Sequence, residues 1–236
     1  MELINYTTLR PTIGGSFSNG WDVMKKYFLY LLLVVIVIGL VSGPSGFRID
    51  KNSGDFGFIH GFPFHSDNWF FSIGAIFLTL FGIAYYFLLL PVFTYSSKLI
   101  YLDAVRDKKI MFEKLIAGFN NYLNIILANL LKSALVVMGF MFLIIPGIII
   151  ACRLTFVSYL VVDKKLDAIQ AIEKSWKLSR GVGWNVFFMA IMSFFIGVLG
   201  LILFIVGIFP AIIWINSSFA SLYQGALNKF EEAEQL

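Results

Sequence analysis

Long charge-free apolar stretches alternate along this chain with short basic, amphipathic ones. The last apolar stretch runs from Gly181 to Asn228, 48 residues without a charged side chain. Such a run is ~70 Å long as a helix. The hydrocarbon core of a bilayer is roughly 30 Å thick, so the run is too long for one crossing and suits two. The turn signal Gly207-Ile208-Phe209-Pro210 falls near its middle and predicts a membrane hairpin, 182–206 and 208–228.

The same reading applies upstream. Phe17, Trp21 and Met24 before Lys25 and Lys26 predict a short interfacial helix, followed by a first span over 27–43. Residues 44–68 are rich in Gly, Pro and Phe, which break a helix and predict a loop lying against the membrane surface or capping the bundle. A second span starts near Trp69, kinks at Pro91 and stays apolar to Leu102. Residues 103–121 have Ile110, Phe112, Leu115, Ile116 and Phe119 at helical spacing against Lys108, Lys109, Glu113 and Lys114. Tyr122 to Val162 carries only Lys132 and Arg153 as charges and splits at Ile145-Pro146-Gly147 into a third and a fourth span. Residues 163–181 form a second amphipathic segment, with Ala168, Ile169, Ile172 and Trp176 opposite Glu173, Lys174 and Lys177. The pattern predicts an all-α membrane protein of six transmembrane helices in three hairpins, with amphipathic interfacial helices before the hairpins.

Six spans put both termini on one side, and basic residues choose the side. The termini and the segments 98–121 and 163–180 hold 14 Lys and Arg, including Lys98, while the opposite side holds only Arg48 and Lys51. Both termini are therefore expected in the cytoplasm, with the chain in the cell inner (plasma) membrane.

The hairpins resemble one another. Pro146 and Pro210 each open a span, and Tyr159 and Tyr223 each follow their proline by thirteen residues. Cys152-Arg153 falls at the same offsets as Asn216-Ser217, and Asp107-Lys108-Lys109 is echoed by Asp163-Lys164-Lys165. The chain reads as a single integral membrane domain, 1–236, with pseudo-repeats of about 17–103, 104–163 and 164–228.

Composition narrows the function classes. Apolar residues make up 59% of the chain and charged ones 14%, against averages near 45–50% and about 25%. Mean hydropathy is +0.84, which leaves little chain for a separate soluble domain. The net charge of +4 belongs to membrane-flanking segments and does not point to nucleic acid. The single cysteine, Cys152, forms no intrachain disulfide. The first apolar run follows a long polar lead, and no cleavable signal is expected.

The stretch Ala171-Ile-Glu-Lys-Ser175-Trp-Lys-Leu178-Ser-Arg-Gly181-Val-Gly-Trp184 follows Pro146-Gly147, Arg153 and Asp163. It resembles the A-x-x-x-S-x-x-L-x-x-G-x-x-W pattern of a broad group of uncharacterised prokaryotic polytopic membrane proteins. That group is similar to the membrane domain attached to some glycerophosphodiester phosphodiesterases. The resemblance covers roughly residues 105–228 and fits the N-terminal third less well. It implies a membrane fold and no catalysis, because catalysis in the fused proteins belongs to a separate domain that this chain is too short to hold.

Lys132 and Arg153 are the sharpest candidates for chemistry. An ionisable group within a span costs about 2.5–3.5 kcal/mol on insertion scales and usually faces the bundle or a wet cavity. Arg153, Lys132, Asn216 and Ser217 are the candidate residues for a ligand or lipid phosphate, with Arg153 in the outer half of the fourth span and pointing into the bundle, toward backbone carbonyls, polar side chains such as Asn216 or Ser217, or the phosphate of a bound lipid. The competing reading is snorkelling, or the capping of buried carbonyls. Asn124 and Asn129 read as glue between helices. His60 and His65, with Asp55 and Asp67, lack metal-ligand spacing, so neither a metal nor a cofactor is expected. No Ser/His/Asp set, phosphate loop or paired intramembrane carboxylate is present, so an enzyme is not expected. The expected function is non-enzymatic binding of membrane lipids or of another membrane protein in the cell envelope. A small transporter or channel for an anionic or amphipathic solute is the alternative.

Overall fold

In the computed structural model, residues 6–42, 80–202 and 204–234 are described. The loop 44–68 and the start of the second span lie outside them. The described residues form helices and turns. A short 3-10 turn, Tyr6–Thr8, precedes seven helices: α1, Ile13–Ser42; α2, Leu80–Val105; α3, Lys114–Phe142; α4, Ile144–Asp163; α5, Ala168–Leu178; α6, Gly183–Ile202; and α7, Phe204–Glu234. Five of them, α1, α2, α3, α4 and α6, are long and apolar enough to cross a membrane.

Several boundaries follow from local chemistry. The interfacial helix and the first span merge into α1, but Tyr27 breaks it with φ −112° and ψ 22°, at the position where the apolar run begins. Pro91 has no N–H, and its ring would collide with the carbonyl four residues earlier. The helix absorbs it with a π turn over Tyr85–Leu89, where the Leu90 N–H reaches back five residues to the Tyr85 carbonyl.

Other boundaries differ from expectation. The α3–α4 turn is at Leu143, whose backbone is extended (φ −166°, ψ 156°), and Pro146 lies in the first turn of α4. Proline is tolerated there because the first-turn N–H groups need no helical partner. Pro210 lies inside α7, so 207–210 is helical and is not the turn expected there. The helix expected across 103–121 forms only in part: α2 runs on to Val105, Asp107 takes a left-handed conformation (φ 55°), and helix resumes at Lys114.

Contacts fix the directions. Lys98 bonds to Asn216 and Arg106 to Gln224, the same separation of 118 residues in both, so α2 and α7 run parallel. After Tyr27, helix α1 is antiparallel to α2, while its earlier part packs on α7: Asn19 donates to Ser221 Oγ and the Trp214 indole donates to the Phe17 carbonyl, and ahead of α1 Asn228 donates to the Tyr6 carbonyl. Against α2, Lys26 pairs with Asp107 at one end and the Tyr85 hydroxyl donates to the Val41 carbonyl at the other.

The exterior is apolar and the interior carries polar groups. Leu123, Met141 and Phe142 of α3, Phe194 and Leu199 of α6, and Leu29 and Leu40 of α1 are exposed. Ser16, Asn19, Ser217, Ser218 and Ser221 are buried where α1 meets α7. Small and hydroxyl-bearing residues let helix backbones approach closely when lipid tails offer no hydrophobic contrast.

Candidate functional site

Two polar layers cross the centre of the bundle, and α2 and α7 each contribute one residue to both. They are eight residues apart, about 12 Å along a helix.

The layer nearer the C-terminal end of α2 is closed and neutral. The Arg106 guanidinium grips Asp163 of α4 in a fork, Nη1 to Oδ1 at 2.5 Å and Nη2 to Oδ2 at 2.9 Å. Its Nε donates to Gln224 Oε1 at 2.7 Å, and the Tyr223 hydroxyl donates to Asp163 Oδ2 at 3.0 Å. The side chains are only 13% and 7% exposed, so the pair is largely desolvated. Removing one partner of such a pair costs about 3–5 kcal/mol, because the other charge is stranded. This layer ties α2, α4 and α7 together, and it is structural.

The second layer is basic. Lys98 of α2 donates to Asn216 Oδ1 at 2.9 Å, a neutral acceptor, and its ammonium lies 5.5 Å from the centre of the Tyr159 ring. Lys132 of α3 is within electrostatic reach of Lys98 and opposes its charge. Neither lysine is ion-paired among the described residues. The Tyr159 hydroxyl is buried without a hydrogen-bond partner; Ser217 Oγ also lacks one, but it lies where α7 meets α1. Asp103 and Asp163, which could have balanced the charge, are held by Lys114 and Arg106. Among the described residues, this layer therefore carries positive charge with no carboxylate bonded to it.

Of the residues singled out in the sequence, the structure links Asn216 directly, and Lys132 electrostatically, to one centre, with Ser217 adjacent to Asn216 on α7. Arg153 is elsewhere. Its guanidinium lies over the Trp176 ring of α5, 5.7 Å from the ring centre, and not against Asn216 or Ser217. Its Nη1 is buried without a partner. The cause is a break in α4 between Arg153 and Val157. Thr155 Oγ1 bonds to the Ala151 carbonyl four residues back, a contact that bends helices. The break frees the Arg153 carbonyl, which accepts hydrogen bonds from Ser175 Oγ at 2.8 Å and Ser179 Oγ at 3.3 Å.

That arrangement accounts for the Ala171–Trp184 pattern. Ala171 and Leu178 are buried, Ser175 caps the interrupted helix, and Gly181 adopts φ 77°, which L side chains rarely take. Trp184 is exposed. The pattern holds α5 against the break in α4, and its polar members serve the backbone.

Lys98 was missed in the sequence because Ser96, Ser97 and Asp103 around it read as the membrane-flanking end of a span. The signal was its place in helical phase with Tyr101 and Val105, both buried. No metal-binding cluster of His, Cys, Asp and Glu occurs among the described residues. Fold and exterior define an all-helical membrane protein. No family model matches the chain, and neither a curated protein nor a solved structure matches it.

Proposed function

We propose that this chain is a non-enzymatic, multi-pass protein of the cell inner (plasma) membrane that binds the anionic headgroup of a lipid between Lys98 and Lys132. The observation that carries the reading is Lys98 held inside the bundle on a neutral amide and an aromatic ring, with no carboxylate bonded to it and with Lys132 of α3 near enough to oppose its charge. Charge repulsion is relieved when an anion enters, and the low dielectric strengthens the attraction. In this reading the chain makes six spans in three hairpins, with α7 as the sixth, and both termini face the cytoplasm. Helix α5 and the part of α1 before Tyr27 lie along the cytoplasmic interface, where their lysines meet anionic headgroups.

Native mass spectrometry of the purified protein tests the reading. The wild type is expected to retain anionic phospholipids, and the Lys98→Met/Lys132→Met variant to lose them while folding normally.

One observation favours the transporter alternative. The contacts of Lys98 come from α7 and α4 as well as its own α2, so the site lies where several helices meet, as binding sites in repeat-built transporters do. Flux of an anionic solute into proteoliposomes, abolished by the same double substitution, would select that alternative.

A further inference from the structure

A second cavity, of about 230 Å³, opens between α2, the first turns of α3 and the end of α4. Ser96, Lys114, Gly118, Asn120, Asn121 and Lys165 supply its polar and close-packed wall. It is separate from the lysine pair: Ser96 faces Gly118, whereas Lys98 leaves α2 toward Asn216 and Tyr159.

Three features set its chemistry. Ser96 is 1% exposed and lines the cavity, yet its hydroxyl has no hydrogen-bond partner. A Cβ on residue 118 would fall 2.1 Å from Ser96 Oγ, so only glycine leaves the hydroxyl its position. Lys165 sits on the rim in a left-handed conformation (φ 50°), unusual for a residue with a side chain. The neighbouring carboxylates do not line the space: Asp103 is bound to Lys114 at 2.6 Å, and Asp167 accepts from Asn124 at 3.1 Å. Hydroxyl, amide and ammonium groups therefore interrupt a wall that Leu99, Ala117, Ile125, Val161 and Val162 make largely apolar, and no acidic side chain lines it. Its volume is below the roughly 300–1,000 Å³ typical of pockets for drug-sized ligands, which excludes a nucleotide and admits a phosphate with a short polar ester.

We infer that this cavity binds a phosphate group, with Ser96 and Asn121 donating to its oxygens and Lys165 supplying charge, while Lys114 stays on Asp103. The phosphate belongs either to a lipid headgroup or to a small soluble ester.

The full chain in detergent is titrated with inorganic phosphate by calorimetry. It is also placed in phosphatidylcholine nanodiscs with and without phosphatidic acid and examined by native mass spectrometry. Ser96→Ala and Lys165→Gln are each expected to weaken binding about tenfold, with Lys165→Arg retaining most of it. Thermal melts check that the variants fold. Binding of inorganic phosphate assigns a soluble source, and retention of phosphatidic acid alone assigns a lipid. Binding of neither probe overturns the inference, as does binding that both variants leave unchanged. The two sites fail separately: loss of binding in Lys98→Met with Ser96→Ala neutral would sustain the lysine pair and reject this cavity.

Discussion

The rings of Tyr159 and Tyr223 stack face to face, 4.9 Å between centres and 14° from parallel. Each is fully buried, and each lies thirteen residues after the proline of its hairpin. Two tyrosines at the same offset from Pro146 and Pro210 thus meet in the bundle core. Tyr159 also presents its ring to Lys98, and Tyr223 its hydroxyl to Asp163, so the stack joins the basic layer to the neutral one.

Tyr223→Phe keeps the stack and removes one hydrogen bond to a buried carboxylate. A bond of this kind is worth about 1.5–3 kcal/mol. A lower melting temperature in detergent is expected, with the fold intact by circular dichroism. A melting temperature equal to wild type would mean that the Tyr223 hydroxyl contributes nothing.

Arg106→Met strands Asp163 and should cost about 3–5 kcal/mol. Arg106→Lys should recover only part of this, because an ammonium cannot form the planar fork or reach Gln224 at the same time. Arg106→Met with Asp163→Leu should be more stable than Arg106→Met alone. Denaturant or thermal unfolding of these proteins together with wild type and Asp163→Leu measures the coupling, and strictly additive losses would rule out the pair as a unit.

Asp107 gives a pH dependence with a definite sign. Hydrogen bonds from Lys26, and then from Tyr27, hold its carboxyl below its ordinary value of 3.8. The folded state therefore binds this proton less readily than the unfolded one. The contribution is present above 3.8 and is lost as pH falls through the depressed value. Asparagine tolerates the left-handed backbone at this position, so Asp107→Asn changes charge and little else. The melting difference between wild type and variant should be constant near neutrality, shrink in acid, and fall with added salt, because the pair is exposed. A difference that grows in acid would reverse the assignment.

Ser175→Ala removes the shorter of the two hydroxyl caps on the Arg153 carbonyl. A loss of about 0.5–1.5 kcal/mol is expected, the usual net worth of one hydrogen bond. Ser175→Ala/Ser179→Ala should cost more than the sum, since the carbonyl is then unsatisfied. Hydrogen exchange across Ala168–Leu178 should rise in the double variant, and unchanged exchange there would reject the capping role.

Much of the architecture was legible where a single residue type forces the backbone. Tyr27 marks the end of the polar lead and becomes the kink in α1, and Pro91 forces a π turn. The turn expected at 146 was displaced because proline fits the first turn of a helix as well as the turn before it, whereas Pro210 stands as the seventh residue of α7, inside a helix, where proline normally breaks one. The break in α4 was hidden, since Leu154-Thr155-Phe156 contains no glycine or proline and the bend depends on a side-chain contact and on α5 packing. The candidate site was legible only in part. Lys132 and Asn216 stand out as polar residues in apolar runs, but the burial of Lys98 depends on α4 and α7 closing over it. Arg153 stood out for the same reason as Lys132, and its partner Trp176 could not be foreseen without that break.

The central claim is that Lys98 and Lys132 jointly hold an anion within the bundle. The most direct measurement is a cryo-electron microscopy map of the full chain in nanodiscs containing phosphatidylglycerol. The account predicts headgroup density within hydrogen-bond reach of both ammonium groups, absent in Lys98→Met/Lys132→Met. A map in which Lys98 stays on Asn216 and Tyr159, Lys132 turns away, and anionic lipid occupies only the outer belt would contradict it.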